Sequence, residues 1–234
     1  MDINKIFSQK KPSEEYWISI SDLMAGLMII FLFIAISYMM DVVSAAEEFQ
    51  GVQDKLHEAL VSEFESELKG WHAEIIDSTL SIRFNEPDVL FGQGKSDLKA
   101  KFKNILTDFY PRYIKILHQE EFRSNILEVR IEGHTSSEWR VFGKKLSSLE
   151  AFIRNMELSQ NRTRNVLNFV STLNGIQEYS EWLKQHIVSI GYSSSKLIYT
   201  SSGEENPNLS RRVEFRVITN AQAKLKEILS ITKK

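Results

Sequence analysis

One apolar run near the start of the chain constrains its structure more than any other feature. The run WISISDLMAGLMIIFLFIAISYMM extends from Trp17 to Met40, about 24 residues, and contains one acidic residue, Asp22. An α-helix of that length is roughly 36 Å long, which is enough to cross the hydrocarbon core of a bilayer. We therefore predict one transmembrane helix at 17–40, followed by a domain of ordinary size.

The charges that flank this run predict its orientation. Lysines precede the run and acidic residues follow it: Lys5, Lys10 and Lys11, then Asp41, Glu47 and Glu48. The positive-inside rule places a tail at 1–16 in the cytoplasm and the rest of the chain across the membrane. A signal peptide cleaved near Ala45 is the alternative, although the run is longer than a usual signal and has an acid near its start.

The carboxylate of Asp22 is costly in this position, by about 2.5–3.5 kcal/mol at the centre of a bilayer and less near its edge. Ser19, Asp22, Gly26 and Phe33 share one helix face, on which small residues let a second helix approach. We interpret Asp22 as a proton-carrying residue at such a contact, with any relay completed by another chain. An edge residue that reaches towards the headgroups is the alternative, although aspartate is short for that role.

Beyond the run, the pattern changes from helical to mixed. An apolar stripe from Val42 to Trp71 predicts a linker helix within 41–77, whose partner is either a copy of itself or the folded domain. From 78 to 220, strand and helix patterns follow in the order β-α-β-α-β-β, which predicts an α+β sandwich with a mixed sheet. We expect a helical tail at 221–234.

The predicted elements of this domain follow from period and capping signals. Strands are predicted at Thr79–Phe84, Ile126–Gly133, Leu197–Thr200 and Arg212–Ile218. Helices are predicted from Ser96 as a cap to Leu117, and at Leu146–Met156, Ser159–Leu173 and Tyr179–Ile190.

Composition excludes several function classes. The 29 basic and 31 acidic residues nearly balance, so no nucleic-acid partner is indicated. The chain has no cysteine, which excludes disulfides, thiol nucleophiles and cysteine-ligated metals. Its five histidines are scattered without metal-ligand spacing, so neither a metal nor another cofactor is expected.

Four blocks in the domain resemble a known family. The blocks VRIEGHTSS, NMELSQNRTRNVLNFV, SSGEENP and SRRVEFRV are similar, in that order, to those of the OmpA-like peptidoglycan-binding domain. Together with a span that has an early Asp, the chain resembles the MotB-type stator subunits. GHTSSEW and NMELSQNRT are similar to the B subunits of Zorya antiphage defence systems, and a flagellar MotB-like stator is the alternative within this family.

The resemblance implies a peptidoglycan-binding site. Arg162 matches the family arginine that binds the carboxylate of the peptidoglycan stem peptide, and a guanidinium near a helix N-terminus suits that ligand. Asn155 and Leu158 would line the same pocket, although helix packing and N-capping are equally good roles for them. Thr135 and Ser136 belong to the block on the other side of the pocket.

Ser136 departs from the family pattern, which has an Asp as the partner of the diaminopimelate ammonium group. Glu132 or Glu138 could replace that Asp, and we prefer Glu138 because it lies in the loop after the strand. A solvated loop acid is the alternative for Glu138.

Two further features of the family blocks concern the rim and the base of the pocket. The gap between Thr135 and Leu158 is longer than in typical members, so 139–153 form an insertion at the pocket rim. Arg211 and Arg212 match the family's arginine pair and are expected beneath the site.

The resemblance further implies a non-enzymatic subunit of a proton-driven motor in the bacterial inner membrane, with a periplasmic domain. Two copies would sit within a pentamer of a MotA-like partner, which is ZorA in a Zorya system. A passive envelope tether would explain Arg162 but would leave Asp22 without a role. A wall hydrolase would need a nucleophile with its base, and no block provides that arrangement.

Overall fold

The computed structural model describes residues 14–85 and 90–220 of the 234-residue chain. The chain divides into two units, Met1–Glu48 and Phe49–Lys234. The tail predicted at 221–234, and all but the last three residues of the tail predicted at 1–16, lie outside the described residues.

The described part of the first unit is helical and belongs to α1 (Glu14–Trp71). Its segment Trp17–Ser44 is, among the described residues, the one that is long and apolar enough to cross a membrane. The large apolar side chains of this segment face outward, and Phe33 is 75 % exposed. A continuous apolar surface of this kind requires lipid or other helices around it. The segment includes the predicted span and extends past Met40 to Ser44.

The C-terminal part of α1 belongs to the second unit and packs into its core. Leu56, Leu60 and Phe64 have no exposed surface and join the same buried cluster as the sheet. From Val52 onward, the partner of the predicted stripe is therefore the folded domain rather than a copy of α1. The helix ends at Trp71, where His72 adopts a positive φ of 55°. The core thus includes residues that precede the predicted domain start at 78.

A mixed sheet forms the centre of the second unit. Its strands are β1 (Ala73–Ile76), β2 (Ser81–Phe84), β3 (Ile126–His134), β6 (Ile187–Gly191) and β7 (Arg212–Thr219). Their order is β1-β2-β7-β3-β6, in which β3 and β6 are parallel and the other pairs antiparallel. The predicted α+β class with a mixed sheet is confirmed. Strand β1 was not predicted, because AEII is too short to show alternation.

Apolar residues of α2 (Ala100–Leu117) cover one face of the sheet. Phe109 is central, with its ring centroid 5.0 Å from that of Phe215 and 5.2 Å from that of Phe84. Helix α2 begins at Ala100, so the predicted cap at Ser96 is wrong. The carbonyl of Ser96 instead accepts a hydrogen bond from Asn165 Nδ2 at 3.0 Å, which fixes the loop before α2. A short helix, α3 (Glu120–Arg123), leads to β3.

Between β3 and the next long helix, the predicted insertion forms a small hairpin of β4 (Arg140–Val141) and β5 (Lys144–Lys145). The helix that follows, α4, runs from Ser148 to Val170 as one element, so the predicted division near Ser159 is wrong. Ser147 and Glu150 form a capping box at its start, and no glycine or proline interrupts it.

The last third of the domain differs most from the sequence prediction. Helix α5 covers Ser180–His186 and ends where β6 begins, so the predicted helix Tyr179–Ile190 is half strand. The strand predicted at Leu197–Thr200 is reduced to a bridge between Tyr199 and Glu205. A short helix, α6 (Pro207–Ser210), capped by the Asn206 side chain, precedes β7.

Two glycines bring α4 against the sheet backbone. Gly133 on β3 and Gly191 on β6 are paired in register. A Cβ added at Gly133 would lie 2.7 Å from Thr163 Cγ2, and one at Gly191 would lie 2.4 Å from the backbone nitrogen of Gln160. Side chains cannot pack that closely, so only glycine permits this approach of helix to strands.

We predict that Gly191→Ala destabilises the domain by roughly 1–3 kcal/mol, because the added methyl group meets helix backbone that cannot move aside. The measurement is urea unfolding of the detergent-solubilised chain. Gly70→Ala is the control, since Gly70 lies in α1 with no atom within 4 Å of an added Cβ. That variant should be unchanged or slightly more stable. Equal stability of Gly191→Ala and wild type would contradict the close approach.

Candidate functional site

A cavity of about 600 Å³ opens at the end of β3. Its lining contains all five residues that the sequence predicted for wall binding: Thr135, Ser136, Asn155, Leu158 and Arg162. Asp22 belongs to the other unit. The structure therefore brings the five predicted binding residues together within the second unit.

Two elements place these side chains. Thr135 and Ser136 directly follow β3, while Asn155, Leu158 and Arg162 recur on one face of α4 at spacings of three and four residues. The glycine contacts fix that helix face over the end of the strand. Ser159 strengthens the join, because its Oγ accepts a hydrogen bond from the backbone nitrogen of Ser193 at 3.1 Å.

Arg162 is 7 % exposed and holds the loop between Phe91 and Ser96. Its Nε donates to the carbonyl of Lys95 at 2.9 Å, and its Nη2 to that of Gly92 at 3.4 Å. The guanidinium carbon also lies 4.7 Å from the centroid of the Phe91 ring, a cation–π contact. Arg162 lies in the middle of α4, so the predicted position near a helix N-terminus is wrong, because α4 continues through the predicted division near Ser159.

Asn155 is buried and ties the helix to the loop after β3. Its Nδ2 donates to the carbonyl of Ser136 at 3.0 Å and to that of Glu138 at 3.5 Å. Asn155 therefore does not cap a helix, although it fixes the backbone from which the cavity rim begins. The Thr135 hydroxyl oxygen is buried, with no hydrogen-bond partner among the described residues.

Glu138 lines the cavity, as preferred from the sequence, whereas Glu132 does not. Its carboxylate contacts Lys145 Nζ at 2.7 Å and Arg140 Nη2 at 3.4 Å. The hydrogen bond and charge of Lys145, with the charge of Arg140, lower the pKa of Glu138. These two cations already neutralise the acid, which favours a role in bracing the hairpin over a free site for a ligand ammonium group.

The charged residues in the cavity lining are mainly cationic: Arg140, Arg162 and Arg211 against Glu138. Arg211 was expected beneath the site, yet it lines the cavity because it precedes β7 at the end of α6. Its Nη2 donates to Asn208 Oδ1 at 2.6 Å. The excess of guanidinium groups suits an anionic ligand. The family arginine pair pointed to Arg211, but local sequence could not tell which of the two faces the cavity.

Arg212, the second arginine of the pair, does not line the cavity. Its Nε is 2.5 Å from Glu214 Oε1, which also accepts a hydrogen bond from Arg83 Nε at 3.0 Å. Burial would raise the pKa of Glu214, but the hydrogen bond from Arg212 and the charges of both arginines outweigh it and lower that pKa. This buried ion pair links β7 to β2 on the sheet face opposite the helices.

Glu132, His134 and Glu214 are the described residues that come nearest to a metal-ligand set, with donor atoms within 4.8 Å of one another. The guanidinium groups of Arg212 and Arg83 already neutralise Glu214. A divalent cation would have to displace them, so the cluster is better described as a buried charge network.

His134 predicts an acid sensitivity of the fold. Burial lowers the pKa of His134 below its usual value of 6.5, although Glu132 lies 3.7 Å away. Below about pH 6.5 the imidazole of His134 therefore binds a proton more readily in the unfolded chain than in the folded one. The free energy of unfolding decreases as the pH is lowered through this range. Urea unfolding at about pH 7.5 and 5.5 measures this loss. The loss should shrink in His134→Gln, and an identical loss in that variant would contradict the assignment.

Comparison with known proteins identifies a relative by sequence and several solved structures to which the chain is similar. The chain is 44 % identical over 234 residues to Zorya protein ZorB of Escherichia coli strain Crooks, with 97 % of each chain covered. It is similar to the solved MotB-like protein from Desulfovibrio vulgaris, at 19 % identity and a TM-score of 0.46, over 70 % of this chain and 94 % of that one. It is also similar to the periplasmic domain of Helicobacter pylori MotB, at 19 % identity and a TM-score of 0.42, over 68 % of this chain and 90 % of that one. No family model matches the sequence.

The fold and the site define a class of protein. The chain has an α+β domain with an arginine-lined cavity, and a helix that includes an apolar segment long enough to span a membrane. At 44 % identity over nearly its whole length, the chain belongs to the ZorB family of Zorya proteins. The resemblance to Zorya B subunits, predicted from the GHTSSEW and NMELSQNRT blocks, is confirmed.

Proposed function

We propose that the chain is the B subunit of a proton-driven membrane motor of the Zorya type, anchored to peptidoglycan. The observation that carries the proposal is the convergence of Thr135, Ser136, Asn155, Leu158 and Arg162 on one cationic cavity. Membership of the ZorB family supports the same assignment. The domain grips the wall, and the membrane helix contributes the ion site.

The wall ligand enters the cavity with its carboxylate towards Arg162. The guanidinium is held by backbone carbonyls and by the Phe91 ring, so little freedom is lost when a ligand binds. Arg211 and Arg140 add positive charge to the same cavity. A stem peptide, which carries several carboxylates, matches this arrangement of charge.

The ion site is Asp22, which takes up and releases protons at the contact with a MotA-like partner. No other charged residue occurs between Asp22 and Met40, so a partner chain must complete the path. Two copies of this chain sit within a pentamer of that partner, ZorA. The N-terminus is cytoplasmic and the domain periplasmic, in the bacterial inner membrane.

The proposal gives the chain no catalytic role, and a passive tether is its nearest rival. A tether would use the cavity in the same way but would not need a carboxylate in the apolar helix. Substitution of Asp22 therefore separates the two functions.

We predict that Asp22→Asn abolishes protection of cells against phage, while expression, membrane insertion and partner assembly persist. The amide keeps the shape of the side chain and cannot exchange protons. Asp41→Asn is the matched control, since Asp41 is the next acid along the same helix and should tolerate the change. Asp22→Glu should be partly active at best. Full protection by the Asp22→Asn variant would favour the passive tether.

We predict that Arg162→Ala weakens binding of the full chain to purified peptidoglycan by roughly 1.5–3 kcal/mol, the cost of a lost charge-assisted hydrogen bond. The measurement is co-sedimentation with wall sacculi over a range of protein concentrations. The full chain is required, because a fragment from Ser78 onward would lack β1 and the buried Leu56 and Leu60.

Arg162 also holds the Phe91–Ser96 loop, so the variant needs a control for loop loosening. Asn165→Ala supplies it, because Asn165 binds the same loop through the carbonyl of Ser96 and does not line the cavity. Asn165→Ala should bind sacculi nearly as well as wild type. Equal losses in the two variants would assign the Arg162 effect to loop structure and contradict direct binding.

A further inference from the structure

The hairpin of β4 and β5 has an unusual turn. Phe142 and Gly143 form it with φ angles of 48° and 79°, the left-handed conformations that a two-residue hairpin turn needs at both positions. Glycine adopts that conformation freely, but at the first position asparagine or aspartate is normally favoured over a bulky residue. Phe142 is nevertheless fully exposed, at 102 % of its reference surface.

The fold gains nothing from this phenylalanine. Its ring contacts no core, it exposes a large apolar surface to water, and its backbone is in a conformation that its side chain disfavours. Val141, the residue before it, is 40 % exposed. An aromatic ring that costs stability in the isolated chain points to a contact with something outside the chain.

Several contacts brace the hairpin that carries this ring. At its base, the Leu146 nitrogen donates to the Trp139 carbonyl at 3.0 Å. The Glu138 carboxylate pairs with Lys145 at 2.7 Å and with Arg140 at 3.4 Å, so one acid braces both strands. Asn155 on α4 in turn binds the Glu138 carbonyl. The tip is thus presented on a braced support.

The hairpin is continuous with the cavity. Glu138, Trp139 and Arg140 line the cavity, and the chain then leads directly to the tip at Phe142. Lys144 and Lys145 follow the tip, so basic residues outnumber the one acid of the hairpin. A polymer held in the cavity would meet this cationic, aromatic surface next.

We propose that the hairpin, Glu138–Leu146, is a second binding zone for the wall polymer, beyond the stem peptide in the cavity. The Phe142 ring packs against the apolar face of a sugar in the glycan strand. Lys144, which is exposed and does not line the cavity, pairs with a carboxylate of a neighbouring stem peptide. This inference rests on the proposed wall binding, and it assigns a function to the segment that was predicted as an insertion at the pocket rim.

The test compares two ligands with the full-length, detergent-solubilised chain: intact sacculi, and a soluble stem tripeptide that fills the cavity alone. Phe142→Asn is the informative variant, because asparagine tolerates the turn conformation and should fold at least as well. We expect about tenfold weaker binding to sacculi, a usual loss for one aromatic contact, with tripeptide affinity unchanged. Leu127→Asn, an exposed apolar position at the opposite end of β3, is the matched control and should bind both ligands normally.

Arg162→Ala separates failure of this inference from failure of the proposed function. Suppose that Arg162→Ala lowers the affinity for both ligands while Phe142→Asn binds sacculi like wild type. The proposal of a second binding zone is then overturned, and the proposed wall binding stands. If Arg162→Ala leaves the binding of both ligands unchanged, the proposed recognition of the stem peptide through Arg162 fails. Vesicles containing phosphatidylglycerol provide a third arm. A Phe142→Asn loss on vesicles, with none on sacculi, would overturn the inference in favour of a membrane surface.

Discussion

The contact between α4 and the backbones of β3 and β6 determines where every cavity residue stands. Gly133 and Gly191 allow an approach that any side chain would block. Because the helix rests directly on the strands, its cavity-facing residues have little room to shift. Asn155 and Arg162 then link the helix to the loops on either side of the cavity. The absence of side chains at two positions of the sheet thereby determines the positions of the cavity residues.

Much of this arrangement could be predicted from the sequence, where alternation and family blocks agreed. Strands β3 and β7 alternate charged and apolar residues because one sheet face meets α2 and α4, and both were predicted nearly at their observed bounds. Strand β6 was missed because all its residues are partly buried, which leaves no clear period. The continuity of α4 was missed because the LSQNR block suggested a new helix at a position that lies inside one.

The predicted site residues converge, but their contacts could not be derived from local sequence. The resemblance indicated that Arg162 and Asn155 share a pocket. It could not show that Arg162 binds carbonyls of the Lys95 loop, since that contact joins residues far apart in the chain. The same limit applies to Arg211 and Arg212. Adjacent residues near the start of a strand point to opposite sides, so only one of the two arginines can face the cavity. Which one does so depends on the path of the chain out of α6.

The packing of the C-terminal part of α1 in the domain core has a mechanical consequence. The helix enters the domain core through Leu56, Leu60 and Phe64, which are buried on successive turns. Tension applied along the helix would therefore be resisted in shear by several side chains at once, and not by one loop that peels away. The Arg112 guanidinium adds a lateral brace through Glu63. Such an attachment is suited to a chain that must bear force along its axis without unfolding.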